Sequence, residues 1–552
     1  MPVDPRAWLA AEPDADLREE LARLLDAGTA AATLELADRF SGTLTFGTAG
    51  LRAAVGAGPR RMNRLVVRQA AAGVVDHLLE TDPGAAQRGL LIGFDARRKS
   101  DVFAADTARV AAARGMRARL FAGVVPTPVL AWSITEVGAA GGVMVTASHN
   151  PPADNGYKVY LADGSQIVEP VDAAIAARIS LVDPLTVPLA SADDPLIEVL
   201  GPDLVDVYVR SVARRRMRPQ ASGVQVAYTA LHGVGGDVLV RAFAAAGLPT
   251  PVVVESQQQP DGRFPTVSFP NPEEPGAMDL VIDLARHHGL GVALANDPDA
   301  DRLGVAIATG SGTWRRLTGD EIGWLLADHV LAATTPPPGV ADDRLVVTTL
   351  VSSSLLAKLA ASHGAHCEET YTGFKWIART ARDRPHLRLV FGYEQALGYL
   401  VGDRPLDKDG IGAAVAFVDA VSWAAAQGRT VEDRLDELAE RHGRHVTAER
   451  SVRLDPQQGV AAVRKLRARP PTHIGGAPVL SVDEIAAANL VRFLVGDPQR
   501  PTRLQVRPSG TEPKVKLYGE AVGSDPGPLL DALVGLLQGA SGDDAATPPP
   551  VP

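Results

Sequence analysis

Three aspartates stand at alternate positions, Asp297, Asp299 and Asp301 in ANDPDADRLG, directly after the apolar run GVALA. In an extended loop alternate side chains share a side, so the three carboxylates converge. They repel one another unless a cation neutralises them, and oxygen-only ligands favour a hard ion such as Mg²⁺. An EF-hand loop is excluded, because the sixth position is Arg302 and not Gly, and the twelfth is Ala308 and not Glu. A solvated acidic turn is the other reading these residues allow.

A nucleophile stands in TASHNPPADNGYK, residues 146–158. The run 142–145 reads as a buried strand that delivers Ser148 into a polar loop, and parallel α/β sheets place ligands beyond the carboxyl ends of strands. Asn150 and the two prolines after it force a turn that fixes Ser148 and His149. The flanking Thr146 and Asn150 do not fit the GxSxG elbow of hydrolases, although an ordinary strand-ending loop fits equally well. In FGYEQALGYL the run LRLVF exits into a loop carrying Glu394, followed by a turn at Gly398. That carboxylate could accept sugar hydroxyls, or simply start a helix. In RLQVRPSGTEPKVKLY, Arg507, Ser509, Gly510 and Thr511 combine a guanidinium, two hydroxyls and a glycine turn. This set makes a phosphate cradle, and it is also ordinary hairpin-turn chemistry.

The elements around these motifs read as βαβ units. A helix over 14–28 carries Leu17, Leu21, Leu24 and Leu25 on one face. Strands are expected at 90–95 and 118–122 around a helix at 102–114, then at 224–229 before a helix from Asp237, and at 345–351 before a helix at 353–363. Three α/β units in series follow. The connectors 184–195, 214–219 and 334–339 are taken as boundary markers. The last segment reads as a smaller α+β module with more polar strands, ended by a disordered tail, GASGDDAATPPPVP.

A chain of 552 residues exceeds one hydrophobic core, and its 46% hydrophobic and 22% charged content is that of a soluble globular protein. The single cysteine, Cys367, rules out an intramolecular disulfide and a cysteine metal cluster, which fits a reducing cytoplasm. No signal-like start and no run of about 18 apolar residues is found, so neither secretion nor membrane insertion is expected. The formal charge of -10 disfavours nucleic-acid binding.

Taken in order, the serine, aspartate, glutamate and phosphate loops resemble the α-D-phosphohexomutase superfamily over nearly the whole chain. FGTAGLR (46–52), TYTGFKWI (370–377) and DKDG (407–410) are similar to the branch containing bacterial phosphoglucomutases and phosphopentomutase-like enzymes. The resemblance implies four domains around a central cleft, three related α/β domains and a smaller α+β domain, with limits expected at 1–218, 219–330, 331–447 and 448–540 and a tail at 541–552. It implies a phosphate on Ser148, Mg²⁺ held by that phosphoserine with Asp297, Asp299 and Asp301, and glucose 1,6-bisphosphate as activator. Lys158 is expected as general acid and base with His149 in support, Arg302 and Arg52 as added positive charge, and Lys375, Glu394, Gln395, Arg507, Ser509, Gly510 and Thr511 as substrate contacts. Ala396 departs from the serine that many bacterial relatives carry there. The expected substrate is a phosphosugar, glucose phosphate first, then mannose and pentose phosphate, handled by a monomer or homodimer. A catalytically silent binding protein and a phosphatase are the readings from other classes.

Overall fold

The computed structural model describes residues 3–47, 50–508 and 514–542. Strand Leu90–Phe94 shows why the first unit folds as it does. All five residues are buried, and their faces divide: Leu90, Ile92 and Phe94 pack into one core and Leu91 into another. A strand apolar on both faces needs helices on both sides. Helices Arg64–Thr81 and Ser100–Ala113 cover one face and Thr127–Glu136 the other. The first sheet has six strands in the order Gly50–Ala54, Asp154–Leu161, Gly141–Val145, Leu90–Phe94, Ala118–Phe121, Ile197–Leu200. Its inner strands are parallel, and Asp154–Leu161 returns antiparallel beside Gly141–Val145, with the serine loop between them.

The second sheet repeats the plan with five strands, and Ala227–Thr229, Val252–Val253 and Val292–Ala295 run parallel before Gly304–Ala308 turns back. The third has four, with Arg344–Thr349 between parallel neighbours His366–Thr370 and Arg388–Glu394. The fourth is a six-stranded antiparallel sheet covered by helices Pro456–Ala468 and Gly527–Gly542. The first three units share one continuous core containing Trp132, Leu239, Leu326 and Phe417, whereas the fourth has its own, built around Val506, Leu517 and Leu533.

Several expectations change here. The connector at 184–195 is not a boundary, because strand Ile197–Leu200 after it joins the edge of the first sheet. Likewise 334–339 lies inside the third unit: helix Gly319–Ala333 before it packs against the strands of the third sheet and crosses residue 330. Its capping box, Thr318 with Glu321, fixes its start well before the Pro-rich segment. Strand His445–Arg453 runs through residue 447 because it pairs with Lys514–Val522 of the fourth sheet. The C-terminal helix extends to Gly542, into the segment expected to be disordered, because Leu530, Leu533 and Leu537 anchor it on the fourth core. No helix among the described residues is long and apolar enough to cross a membrane.

Candidate active site

Strand Gly141–Val145 ends at the serine loop. Ser148 adopts φ +51°, a left-handed conformation that a non-glycine residue holds only where its surroundings determine it. Two groups do so here. Thr146 Oγ1 accepts the Ser148 amide at 2.9 Å. The Arg97 guanidinium donates to the carbonyls of Ser148 and Asn150 at 2.5 Å, Pro151 at 2.8 Å and Asp154 at 3.1 Å. Arg97 is itself fixed by Asp95 at 3.3 Å and by the face of Phe264 from the second unit, 4.9 Å away.

The loop after Val292–Ala295 brings Asp297, Asp299 and Asp301 together with ligand oxygens within 4.8 Å of one another, all three buried. It meets the serine loop directly: Ser148 Oγ donates to Asp297 Oδ2 at 2.8 Å. Lys158, on the strand after the serine loop, donates from Nζ to Asp299 at 2.7 Å and Asp301 at 3.1 Å, and Thr127 Oγ1 donates to Asp299 at 2.6 Å. Burial alone would raise the carboxyls of Asp297 and Asp299. It does push Asp297 well above the usual range, with Asp299 and Asp301 adding repulsion. For Asp299 the same burial is outweighed by the Lys158 ammonium, and the group is held below its ordinary value. Burial disfavours the charge on Lys158, yet the two aspartates more than offset it and keep the ammonium protonated.

Asp299 Oδ1 and Asp301 Oδ1 are buried and accept no hydrogen bond. Two orphaned carboxylate oxygens facing a cluster already neutralised in part by an ammonium are the donor set a hard divalent cation takes. The residues therefore fit Mg²⁺, with Asp297, Asp299 and Asp301 as ligands and Ser148 beside them.

His149 Nδ1 lies 3.3 Å from Ser148 Oγ, and burial, reinforced by Arg302 and Arg52, holds its ring well below the usual histidine range. Arg52 donates to Asn150 Oδ1 at 3.0 Å, on the rim of the same loop. Arg302 lies 3.5 Å from Glu273 and 4.0 Å from Asp301. Its backbone bridges to Gly398, which joins the aspartate loop to the third unit.

Glu394 ends strand Arg388–Glu394 and pairs with Gly398 across a tight hairpin, so the helix-start reading does not apply. A Cβ on Gly398 would fall 2.4 Å from Lys408 Cδ and 3.0 Å from Glu394 Cγ. Glycine there lets Lys408 reach Asp301 at 3.4 Å. Gln395 is turned away from the aspartates, its Oε1 accepting from Ser352 Oγ at 3.2 Å. Lys375 is buried on helix Phe374–Arg382, its ammonium 5.6 Å from the Trp376 ring and facing the charges of Asp172 and Glu169 in the first unit. Arg507, at the end of strand Thr502–Pro508, donates to Thr372 Oγ1 of the third unit. Ser509, Gly510 and Thr511 lie outside the described residues.

The structure thus brings Ser148, His149, Lys158, Arg302 and the three aspartates into one site, while Gln395 and Lys375 face other partners. Arg97 and Thr127 escaped the sequence reading, which singled out Lys408 only within DKDG and gave it no role. Arg97 carried a usable signal, since GFDARR places a charged pair just beyond the carboxyl end of a parallel strand.

Three α/β units on a shared core and a separate α+β unit form the architecture of the phosphohexomutases. Models of the phosphoglucomutase/phosphomannomutase alpha/beta/alpha domains I, II and III match residues 43–184, 206–310 and 318–442. A Haemophilus influenzae protein named "Probable phosphomannomutase" is 42% identical over 475 residues, covering 84% of this chain and 94% of its own. A Schizosaccharomyces pombe protein named "Probable phosphoribomutase" is 34% identical, covering 93% and 92%. The human glucose 1,6-bisphosphate synthase is 32% identical, covering 94% and 89%. A Burkholderia thailandensis phosphoglucomutase/phosphomannomutase family structure superposes with a TM-score of 0.68 at 22% identity, covering 90% and 98%. The chain belongs to the phosphoglucomutase/phosphomannomutase family of phosphomutases.

Proposed function

We propose that this chain moves a phosphoryl group between the 1-position and the terminal position of an aldose through a phosphoserine at Ser148. One observation carries the reading: Ser148 Oγ sits 2.8 Å from Asp297 in an aspartate cluster where Asp299 Oδ1 and Asp301 Oδ1 accept no hydrogen bond. When bound, Mg²⁺ supplies charge neutralisation for the transferring phosphoryl group.

In the phosphorylated chain the 6-hydroxyl oxygen of a sugar 1-phosphate attacks phosphorus. The bond from phosphorus to Ser148 Oγ breaks, and Oγ takes up a proton. Lys158, held as the ammonium, gives its proton to Oγ as the bond breaks and is recharged by the hydroxyl proton, with the neutral His149 ring beside Oγ in support. Arg302 and Arg52 face the charge that develops on the phosphoryl oxygens. The resulting 1,6-bisphosphate turns over in the cleft, its 1-phosphate returns to Ser148, and the 6-phosphate leaves. Arg507, with Ser509, Gly510 and Thr511, holds the phosphate that is not reacting, and Glu394 accepts hydroxyls of the sugar.

Glucose phosphate is the substrate placed first and mannose phosphate second, and the chain is expected to act in the cytoplasm. A pentose phosphate is a second reading with its own support. Gln395 is engaged by Ser352 and Ala396 offers only a methyl, so the hairpin presents the single Glu394 carboxylate, which suits a sugar with fewer free hydroxyls. A coupled assay with Mg²⁺ and a trace of glucose 1,6-bisphosphate, run on glucose, mannose and ribose 1-phosphates, decides among them. Conversion of none would overturn the mutase reading, and release of inorganic phosphate would make the protein a phosphatase.

A further inference from the structure

The fourth unit shares little apolar surface with the rest of the molecule. Val351, Leu490 and Tyr518 form a small cluster across the joint, and beside it lies a cavity of about 390 Å³ lined by Gln395, Glu449, Tyr518 and Glu520. A joint of this kind takes its geometry from polar contacts, and these converge on one carboxylate. Glu520 is 5% exposed. It accepts from Ser353 Oγ at 2.5 Å, from the Ser354 amide at 2.9 Å, from His445 Nδ1 at 2.8 Å and from the Arg503 guanidinium at 2.8 Å. Ser353 and Ser354 precede helix Leu355–Ser362 of the third unit, so Glu520 and Arg503 reach across the joint. Arg503 also donates to Ser352 O, and Gln505 to Leu350 O at 2.8 Å.

Strand register turns this clasp into a lever. Arg503 pairs with Glu520 and Arg507 with Lys516, so Glu520 stands four residues down the hairpin from Arg507, about 13 Å along the strand. The clasp also extends toward the sugar hairpin. Asp320 Oδ1 accepts from the Ser353 amide at 2.8 Å and from Tyr393 OH at 2.9 Å, and Tyr393 precedes Glu394. We propose that Glu520 is a positioning residue: with Arg503 it holds the paired strands Thr502–Pro508 and Lys514–Val522 on the third unit, which sets where Arg507 meets the substrate relative to Glu394. This inference rests on the phosphate-holding role given to Arg507 above.

Glu520→Gln keeps the volume but turns an amide donor toward groups that donate. The expected result is a KM for the sugar 1-phosphate raised about tenfold, the loss of one charge-assisted hydrogen bond, with kcat within about threefold. Hydrogen exchange should quicken in strands Thr502–Pro508 and Lys514–Val522 and stay unchanged in Gly141–Val145. Leu537→Ala, a cavity in the fourth core, is the control for simple destabilisation and should leave KM unmoved. An unchanged KM in Glu520→Gln, or an equal rise in Leu537→Ala at equal loss of stability, overturns the proposal. If Glu520→Gln does not fold, Ser353→Ala decides by the same two readouts. Should the unmodified chain turn over no sugar phosphate, the mutase reading fails while the exchange measurement still tests the clasp.

Discussion

Ser148 fills no core; its loop is shaped by Arg97 and Thr146, which bond to backbone and not to the hydroxyl. Ser148→Ala should therefore abolish mutase turnover while the fold persists, at a cost of about 1–3 kcal/mol for the Asp297 Oδ2 acceptor left without its donor. A coupled assay and a calorimetric scan check both halves, and near-normal turnover would remove Ser148 from the mechanism. Asp299→Asn removes a charge whose Oδ1 has no partner in the protein, so Mg²⁺ affinity should fall at least about tenfold, read by isothermal titration. Far from this site, Glu12 is buried beneath Trp8, whose Nε1 donates to it at 3.2 Å, and burial pushes its carboxyl up to about 7. The folded chain then binds a proton there that the unfolded chain has lost above about 4.5. The stability from this group is full below about 4.5, falls as pH rises to about 7 and is flat beyond, a change of about 3 kcal/mol. Glu12→Gln should raise the melting temperature at pH 8 relative to wild type by more than at pH 5, and parallel shifts at both would show that the carboxyl does not titrate in this window.

At the scale of elements, the serine and aspartate loops were legible because each follows an apolar run, and a buried strand must surrender its chain to polar residues where the sheet ends. Ser148 and the three aspartates could be placed in loops on that ground alone. What the loops meet was not legible. Arg97 spends its guanidinium on carbonyls from four residues of another segment, and Gln395 turns to Ser352, because such contacts depend on how helices and sheets pack and leave no spacing in the sequence. The Pro-rich connectors misled for a related reason: a proline marks a turn whether the turn lies between units or within one. Close approach between elements gives a test. The start of helix Gly319–Ala333 abuts the sugar hairpin so tightly that a Cβ on Gly319 would lie 1.8 Å from Gln395 O. Gly319→Ala must displace backbone, and a loss of about 2 kcal/mol with a raised KM is expected. A variant with wild-type stability and KM would show that the hairpin can shift without consequence.

The whole molecule divides its chemistry between units with different mechanical ties. The first and second share an apolar core and meet at the site itself, where Ser148, Lys158 and Thr127 from one side contact Asp297 and Asp299 from the other at 2.6 to 2.8 Å. The fourth has a separate core and joins through the Glu520 clasp. Repulsion among the three buried carboxylates, offset in part by Lys158, Lys408 and Arg302, raises the energy of the loop through which the second unit meets the first. A divalent cation on Asp297, Asp299 and Asp301 relieves that repulsion in the folded state alone, and at about 100 times its dissociation constant it should stabilise by about 2.7 kcal/mol. Scanning calorimetry with and without Mg²⁺ should then move the transition that carries the shared core upward and leave the transition of the fourth unit where it was. Sodium at equal ionic strength should move neither. Equal upward shifts of both transitions would mean that the ion acts on the protein generally, and no shift in either would mean that the aspartate loop does not hold it.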